Sequence, residues 1–240
     1  NTTGANNTAL GYSSMFANTT GSENTAVGRL SLDANTTGSD NVAIGNSALG
    51  ANTTASNNIG IGTSALGANT TGTQNVAVGA NALDANTTTS DSVAVGYSAL
   101  STATVGSNTA VGSEAMQYTT TGANNVGVGL QALRANTTGT ENVAVGASAL
   151  AAVTTGSYNQ AFGKSAGAAL TTGATNIAIG NAALGTATTA DGNTAIGHSA
   201  MTANTSGASN VAVGLNVLDA NTTGANNTAV GADALGANTT

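Results

Sequence analysis

The chain has 240 residues and a formal net charge of −7, with charged residues at 5% and aromatic residues at 2% of the sequence. Its basic side chains, Arg29, Arg134 and Lys164, are too few to favour a nucleic-acid backbone as partner, and no apolar run approaches the length of a membrane span. The absence of cysteine excludes disulfides and thiolate metal sites, and the absence of proline fits a backbone whose N–H groups are committed to ladders.

A short pattern ending in glycine, such as Asn-Thr-Ala-Val-Gly at residues 24–28, occurs fourteen times along the chain. Its closing glycines are 17 residues apart, except that Gly96 and Gly112 are separated by 16 residues. A fixed period of this length is the signature of a stacked array of structural repeats. We therefore predict an all-β protein, a parallel β-solenoid of about 14 coils of 17 residues that spans residues 1–240 as one array.

The recurrent glycine is taken as position 17 of the repeat, and positions 13 to 16 before it read as a short strand. Position 16 is always apolar, and position 14 mixes Val and Ile with Thr and once Gln160. Both face the same side, because side chains alternate along a strand. Position 15 faces the other side and is Ala in twelve coils and Gly in two. A place that accepts nothing larger than a methyl group is crowded, either inside a thin coil or at a close contact between chains. The position-16 side chains include Val27, Ile44, Ile61 and Val78.

Position 13 is asparagine in thirteen coils. Stacked coils place these amides about 4.8 Å apart, where they can hydrogen-bond along the stack. Each asparagine would also suit a corner by bonding to its own backbone, and both interpretations predict the same fold. The predicted ladder residues in the first coils are Asn24, Asn41, Asn58 and Asn75.

Glycine occupies position 17 without exception, which predicts a corner with a positive φ angle or with no room for a Cβ atom. Representative members are Gly28, Gly45, Gly62 and Gly79. We predict that positions 4, 13, 15, 16 and 17 have structural roles.

The rest of the repeat contains a second apolar column and a turn. Position 4 is Leu or Met in every coil except at Gly167. The Asn-Thr-Thr-Gly segment at positions 7 to 10 reads as the turn opposite the strand, with a threonine column at position 8. The missing residue between Gly96 and Gly112 lies near Gly106, just after this turn. Loops tolerate deletions better than strands, which supports the assignment.

The pentads resemble the head repeats of YadA-type trimeric autotransporter adhesins, whose motif reads Asn-Ser-Val-Ala-Ile-Gly, and similar repeats of trimeric phage tail fibres. The resemblance spans all fourteen coils. It implies a left-handed parallel β-roll, three chains side by side and display outside the cell for attachment. The head repeats of that family are usually shorter, and the extra residues here lie around the Asn-Thr-Thr-Gly turn. A triangular β-helix with three short faces is therefore an alternative cross-section.

Ionisable side chains occur only at positions 1, 2, 5, 11 and 12, which indicates a solvated surface. Glu23 and Asp40 share position 12 in adjacent coils and would be the best candidates for a Ca²⁺ site, but solvated carboxylates explain them more simply. His198 has no placed partner for metal binding or general-base catalysis. No nucleophile elbow or phosphate-binding loop is present. We predict a protein that is not an enzyme and has no cofactor and no metal site.

The function that these observations favour is a structural extracellular fibre or adhesin rod, at a cell surface or in a virion fibre, that presents a repetitive surface for attachment. We expect a homo-oligomer, preferably a trimer, with a host-surface glycan or protein as receptor and without membrane insertion. The chain opens and closes inside the repeat, so we expect an uncapped segment of a longer fibre. One alternative is a single-chain solenoid that stacks end to end into a filament. Another is ice or glycan binding by a Thr/Asn-rich face.

Two further expectations concern the surface. A trimer requires an apolar column that is shielded only between chains, whereas a lone solenoid encloses every apolar column in its own coil. The Asn-Thr-Thr and Asn-Thr-Ser triplets at Asn18, Asn35 and Asn204 match the N-glycosylation sequon. We interpret them as turn residues that would carry glycans only in a secreted eukaryotic protein.

Overall fold

The computed structural model describes residues 1–240 and consists of fourteen three-residue strands joined by turns, without a helix. The strands recur about 17 residues apart and make a parallel β-solenoid of about 13 turns. The predicted fold class is therefore confirmed.

The chain divides into two compact units, Asn1–Thr121 and Gly122–Thr240, each with seven strands in chain order. The strands of the first unit are β1 (Thr8–Leu10), β2 (Thr25–Val27), β3 (Val42–Ile44), β4 (Ile59–Ile61), β5 (Val76–Val78), β6 (Val93–Val95) and β7 (Thr109–Val111). Those of the second unit are β8 (Val126–Val128), β9 (Val143–Val145), β10 (Gln160–Phe162), β11 (Ile177–Ile179), β12 (Thr194–Ile196), β13 (Val211–Val213) and β14 (Thr228–Val230).

Neighbouring strands pair in parallel, with each repeat position beside the same position of the next coil. Val27 lies beside Ile44, for example, and Ala26 beside Ala43. The 16-residue coil keeps this register, because Val95 still pairs with Val111. The missing residue is accommodated in the turn before β7, as the sequence predicted.

Backbone hydrogen bonds also join the turns of successive coils. Leu32 donates its N–H to the carbonyl of Ala48 at 3.0 Å, and Thr36 donates to Thr53 at 2.8 Å. The ladder therefore runs around most of the coil and is not limited to the strands. A backbone whose N–H groups are used in this way has few places for proline, which cannot donate.

The interior of each unit consists of small and aliphatic side chains together with asparagine. Alanine at positions 3 and 15 and asparagine at positions 7 and 13 are almost completely buried. The largest fully buried side chains belong almost entirely to position 4: Leu32, Leu49, Leu66, Leu83, Leu100, Met116, Leu133, Leu150, Leu170, Leu184, Met201 and Leu218.

The position-4 side chains reach the interior from an unusual backbone conformation. Leu32, Leu49 and Leu66 have φ angles of 51°, 51° and 52°. Positive φ is uncommon for residues other than glycine because the Cβ atom crowds the backbone. Positions 2 and 12 share this conformation, as Ser47 (φ 55°) and Asp40 (φ 58°) illustrate. The burial of the leucine and the ladder bond of its N–H group offset the strain at position 4.

Candidate functional site: an aliphatic face outside the coil

The main candidate for an interaction site is the outer face of the sheet, formed by positions 14 and 16. In β4, Gly60 in the centre is buried, whereas Ile59 and Ile61 on either side are only half-buried. Ile44 on β3 is 37% exposed, and Ala43 beside it is completely buried. The valine and isoleucine side chains of the strands therefore point away from the coil, and the alanines point into it.

The size of the interior explains this orientation. A Cβ atom on Gly60, at position 15, would lie 3.2 Å from Cγ of Leu49 and 3.0 Å from the carbonyl oxygen of Ala65. A methyl group already fills this space in the other coils, so no β-branched side chain can point inward at position 15. Of the two explanations for the crowding at position 15, the structure therefore agrees with the interior of a thin coil.

Position 16 consequently forms an apolar column on the outside of each unit, aliphatic except at Phe162, where it is half-buried or exposed. The predicted column residues Val27, Ile44, Ile61 and Val78 belong to it in the first unit. A lone solenoid was expected to enclose every apolar column in its own coil, and the position-16 column is not enclosed.

Charged and aromatic side chains flank this face at the two ends of the strands. Position 12, which precedes the strand, carries exposed acidic residues, and position 1, which follows it, carries exposed cationic and aromatic residues. Those at position 12 are Glu23, Asp40, Asp91 and Glu141; those at position 1 include Tyr12, Arg29, Tyr97, Lys164 and His198. Position 12 also carries Tyr158, which is 53% exposed.

The predicted asparagine ladder at position 13 lies inside the coil. Asn41 donates its Nδ2 to Oδ1 of Asn24 at 3.1 Å and to the carbonyl of Ala55 at 2.8 Å. Its Oδ1 accepts the N–H of Asn58 at 3.0 Å. Asn75 donates its own N–H to Oδ1 of Asn58, also at 3.0 Å. Each buried amide thus connects its coil with both neighbours, and the ladder interpretation describes these residues better than local corner bonding.

A second asparagine ladder runs along position 7, which sequence analysis assigned to a turn and considered for a Thr/Asn-rich face only as an alternative. Asn35 donates Nδ2 to Oδ1 of Asn18 at 2.9 Å, and Asn52 donates to Oδ1 of Asn35 at 3.0 Å. The two ladders meet at position 10, where the carbonyl of Ala55 accepts Nδ2 of both Asn41 and Asn52. The signal in the sequence was a second asparagine column in phase with the first.

Burial at position 7 changes two of the surface expectations. Asn18, Asn35 and Asn204 are 2%, 0% and 0% exposed, so these sequons are closed to modification in the folded chain. A mixed Asn/Thr face at positions 7 and 9 does not form, because the asparagines point inward.

The threonines of positions 8 and 9 differ in their hydrogen bonds. Thr36 at position 8 donates Oγ1 to the carbonyl of Thr53 at 3.0 Å, and Thr19 donates to Thr36 at 2.9 Å. Position 9 is exposed, as in Thr37 and Thr54. The column is interrupted at Val105, in the shortened coil.

The predicted corner glycines have both properties expected for them. Gly28, Gly45, Gly62 and Gly79 have φ angles of 134°, 135°, 128° and 135°. A Cβ atom on Gly45 would also lie 2.6 Å from the carbonyl oxygen of Gly62. Neither the conformation nor the space admits a side chain.

The ionisable side chains are dispersed over the surface. Glu23, Asp40 and His198 are exposed, and no three His, Cys, Asp or Glu side chains are grouped closely enough to hold a metal ion. Asp84 differs from the others, because its Oδ1 is buried without a hydrogen-bond partner. Burial raises the pKa of this carboxyl above 3.8, and the N–H groups of Asp84 and Ala85 lower it to a smaller extent.

Comparisons with protein-family models, curated proteins and solved structures find no match to this chain. The structure also contains no helix with the length and hydropathy that a membrane crossing requires.

Proposed function

We propose that this chain is a structural rod segment that associates side by side with copies of itself, preferably as a trimer, in an extracellular fibre or adhesin. The observation that carries the proposal is the aliphatic column at position 16, which lies outside the coil. A chain of this composition has few large apolar side chains, and placing a regular row of them in water is unfavourable unless another surface covers them.

The rest of the proposal rests on the regularity of the coil and on the resemblance to adhesin heads. Stacked ladders give a stiff spacer, and the variable positions 1, 2, 5, 11 and 12 present the surface that a host glycan or protein receptor would contact. The resemblance of the pentads to YadA-type heads supports a location outside the cell. No catalytic role is proposed, because the carboxylates do not converge.

The test is the mass of the native particle, measured by light scattering on the chain and on two charge variants. The variant Ile44→Asp/Ile61→Asp/Val78→Asp places charges on the aliphatic column. The matched control, Thr37→Asp/Thr54→Asp/Thr71→Asp, places them on the exposed position 9 of the same coils, away from the sheet face. We expect a multiple of the chain mass for the wild type and the control, and the mass of one chain for the column variant. A wild-type mass of one chain would overturn the proposal, and open-ended growth would favour an end-to-end filament.

A second candidate function is binding of ice or a glycan by the exposed threonine column of position 9. The observation that favours it is the repetition of an exposed hydroxyl, about 4.8 Å apart, in every coil except the shortened one with Val105. Substitution of Thr37, Thr54 and Thr71 by valine would remove these hydroxyls while retaining the shape. Ice recrystallisation or glycan binding that is unchanged by the substitution would exclude this face.

A further inference from the structure

One coil departs from the others on the outer face of the sheet. In β10, position 14 is Gln160 and position 16 is Phe162, and both are exposed. Position 14 is otherwise Val, Ile or Thr, and position 16 is otherwise aliphatic. Tyr158, at position 12 before this strand, and Lys164, at position 1 after it, are also exposed. We call Tyr158, Gln160, Phe162 and Lys164 the β10 row.

The β10 row lies between two ordinary aliphatic strands. Gln160 is paired with Val143 on one side and with Ile177 on the other. Phe162 lies between Val145 and Ile179 in the same way. The row therefore places an amide and an aromatic ring between two aliphatic neighbours.

A uniform repetitive face cannot align two copies by itself. If one copy slides along the other by one coil, about 4.8 Å, each aliphatic contact is replaced by an equivalent one. Only contacts at unusual side chains then distinguish the registers. A single polar residue in an apolar seam serves this purpose in coiled coils, where it fixes the register at a cost in stability.

We propose that the β10 row sets the axial register of laterally associated copies, so that Gln160 and Phe162 of one copy meet the same residues of the next. This inference rests on the proposed side-by-side association. In the aligned state, Gln160 of one copy lies opposite Phe162 of its neighbour, and its amide N–H groups can donate to the face of the ring. One coil out of register, each amide lies opposite Val145 or Ile179 and loses this partner.

The chemistry at the strand ends identifies a second copy as the occupant of this face. Rotation about an axis parallel to the stack brings position 12 of one copy beside position 1 of its neighbour. Aligned copies then place Glu23 opposite Arg29 at β2, and Tyr158 opposite Lys164 at β10, as an ion pair and a cation–π pair. An antiparallel arrangement would place the acidic position-12 residues opposite one another.

The size of the face agrees with this occupant. From position 12 to position 1 a strand spans roughly 20 Å, and seven coils rise roughly 34 Å, so each unit offers roughly 700 Å². A standard protein–protein interface takes about 800 Å² from each partner. A partner that covers it must also match the coil spacing over the whole unit, which a copy of the chain does without further adaptation.

The test uses the absence of cysteine in the chain. Two differently tagged copies of the chain are co-expressed, and the first always carries Val145→Cys. The second carries one cysteine, placed in turn by Val145→Cys, Ile179→Cys, Ile196→Cys or Val213→Cys. Particles that contain both tags are isolated and treated with a short bis-maleimide cross-linker. The same series is made with Gln160→Val/Phe162→Ile, which restores the ordinary side chains. The matched control, Ile177→Val/Ile179→Val, changes only the adjacent strand and is analysed without the Ile179→Cys partner.

For the wild type and the control we expect cross-links between copies that both carry Val145→Cys, and loss of cross-linking once the partner cysteine is three coils away, about 14 Å. In the Gln160→Val/Phe162→Ile series, cross-linking at three coils should become comparable with that of the aligned pair. Equally broad cross-linking in the wild type, or equally narrow cross-linking in the variant, overturns Gln160 and Phe162 as the register determinants. With either of these cross-linking results, a multimeric particle mass still supports side-by-side association. The mass of a single chain would overturn the association and the register proposal together.

Discussion

Leu170 occupies space that a position-4 side chain takes in the other coils, because Gly167 in the same coil has no side chain. A Cβ atom on Gly167 would lie 3.1 Å from Cδ1 of Leu170 and 2.8 Å from Cδ2 of Leu150. Leu170 stands at position 7, where most coils carry asparagine, and it is completely buried. The two exceptions to the repeat in this coil are therefore linked. Position 4 has lost its leucine at Gly167, and the leucine at position 7, Leu170, fills the space.

This relationship predicts strong coupling between the two sites. Gly167→Leu alone should destabilise the chain by about 1–3 kcal/mol, because the new side chain overlaps Leu170. Its φ of 58° is close to that of leucines at position 4, so the backbone itself accepts the change. Leu170→Asn alone should cost about 2–5 kcal/mol through the cavity that it leaves.

The double variant Gly167→Leu/Leu170→Asn should lose less than the sum of the two, with a coupling free energy of about 1–3 kcal/mol. Equilibrium chemical denaturation of the four chains measures this cycle. Additive losses would show that Leu170 does not fill the space of the missing side chain.

The corner glycines give a second prediction. Gly45→Ala should prevent stable stacking at that coil, because its Cβ atom would lie 2.6 Å from a backbone oxygen at a φ of 135°. Strain of this kind costs about 1–3 kcal/mol before the ladder is displaced.

Gly50→Ala in the following turn is the matched control. Its nearest contact is 3.3 Å, no positive φ applies, and position 5 is already alanine at Ala151 and Ala168. Thermal unfolding followed by circular dichroism compares the two variants. Equal melting temperatures would contradict the close approach at position 17.

The asparagine ladder gives a third prediction. Asn41→Ala removes the acceptor of the buried Asn58 N–H and should destabilise the chain by about 1–3 kcal/mol. Asn46→Ala is the control, because Asn46 is exposed and position 1 carries alanine at Ala80 and Ala147. Hydrogen exchange at the Asn58 amide provides a local measurement. If it is accelerated equally by both substitutions, the ladder does not protect that amide.

The sequence was sufficient to predict the fold because each repeat carries several independent signals for the same coil. Gly45 and its equivalents indicate the corner, Val42 and Ile44 indicate the strand, and Asn41 indicates the ladder. It did not show which side of the strand is the interior. Because side chains alternate along a strand, Ala43 and Ile44 point to opposite sides. Alanine points inward because the space between the strand and Leu49 is too small for a larger side chain.

The left-handed conformation of position 4 was also missed, because it is usually marked by glycine and here carries leucine at Leu32 and Leu49. Its cause is tertiary, since the burial of the side chain compensates for the local strain. The asparagines of position 7 were assigned to a turn, and their ladder was missed, for a similar reason. Asparagine is common in exposed turns, and the hydrogen bond from Asn35 to Asn18 becomes visible only when coils are stacked.

The buried carboxyl oxygen of Asp84 gives the last prediction. Burial raises the pKa of Asp84 in the folded chain above its ordinary value of 3.8, so the folded state binds the proton more tightly than the unfolded state does. The contribution of this group to stability therefore falls as the pH rises from 3.8 through the raised pKa, and it stays low at neutral pH.

Asp84→Asn should remove this penalty. The variant should be more stable than the wild type at pH 7, and its advantage should shrink as the pH falls through the same window, because the wild-type carboxyl becomes neutral there. Denaturation midpoints measured across this range give the difference directly. A constant difference at every pH would mean that the amide acts through packing alone, and a loss of stability at neutral pH would mean that the bonds from the Asp84 and Ala85 amides outweigh the burial of the charge.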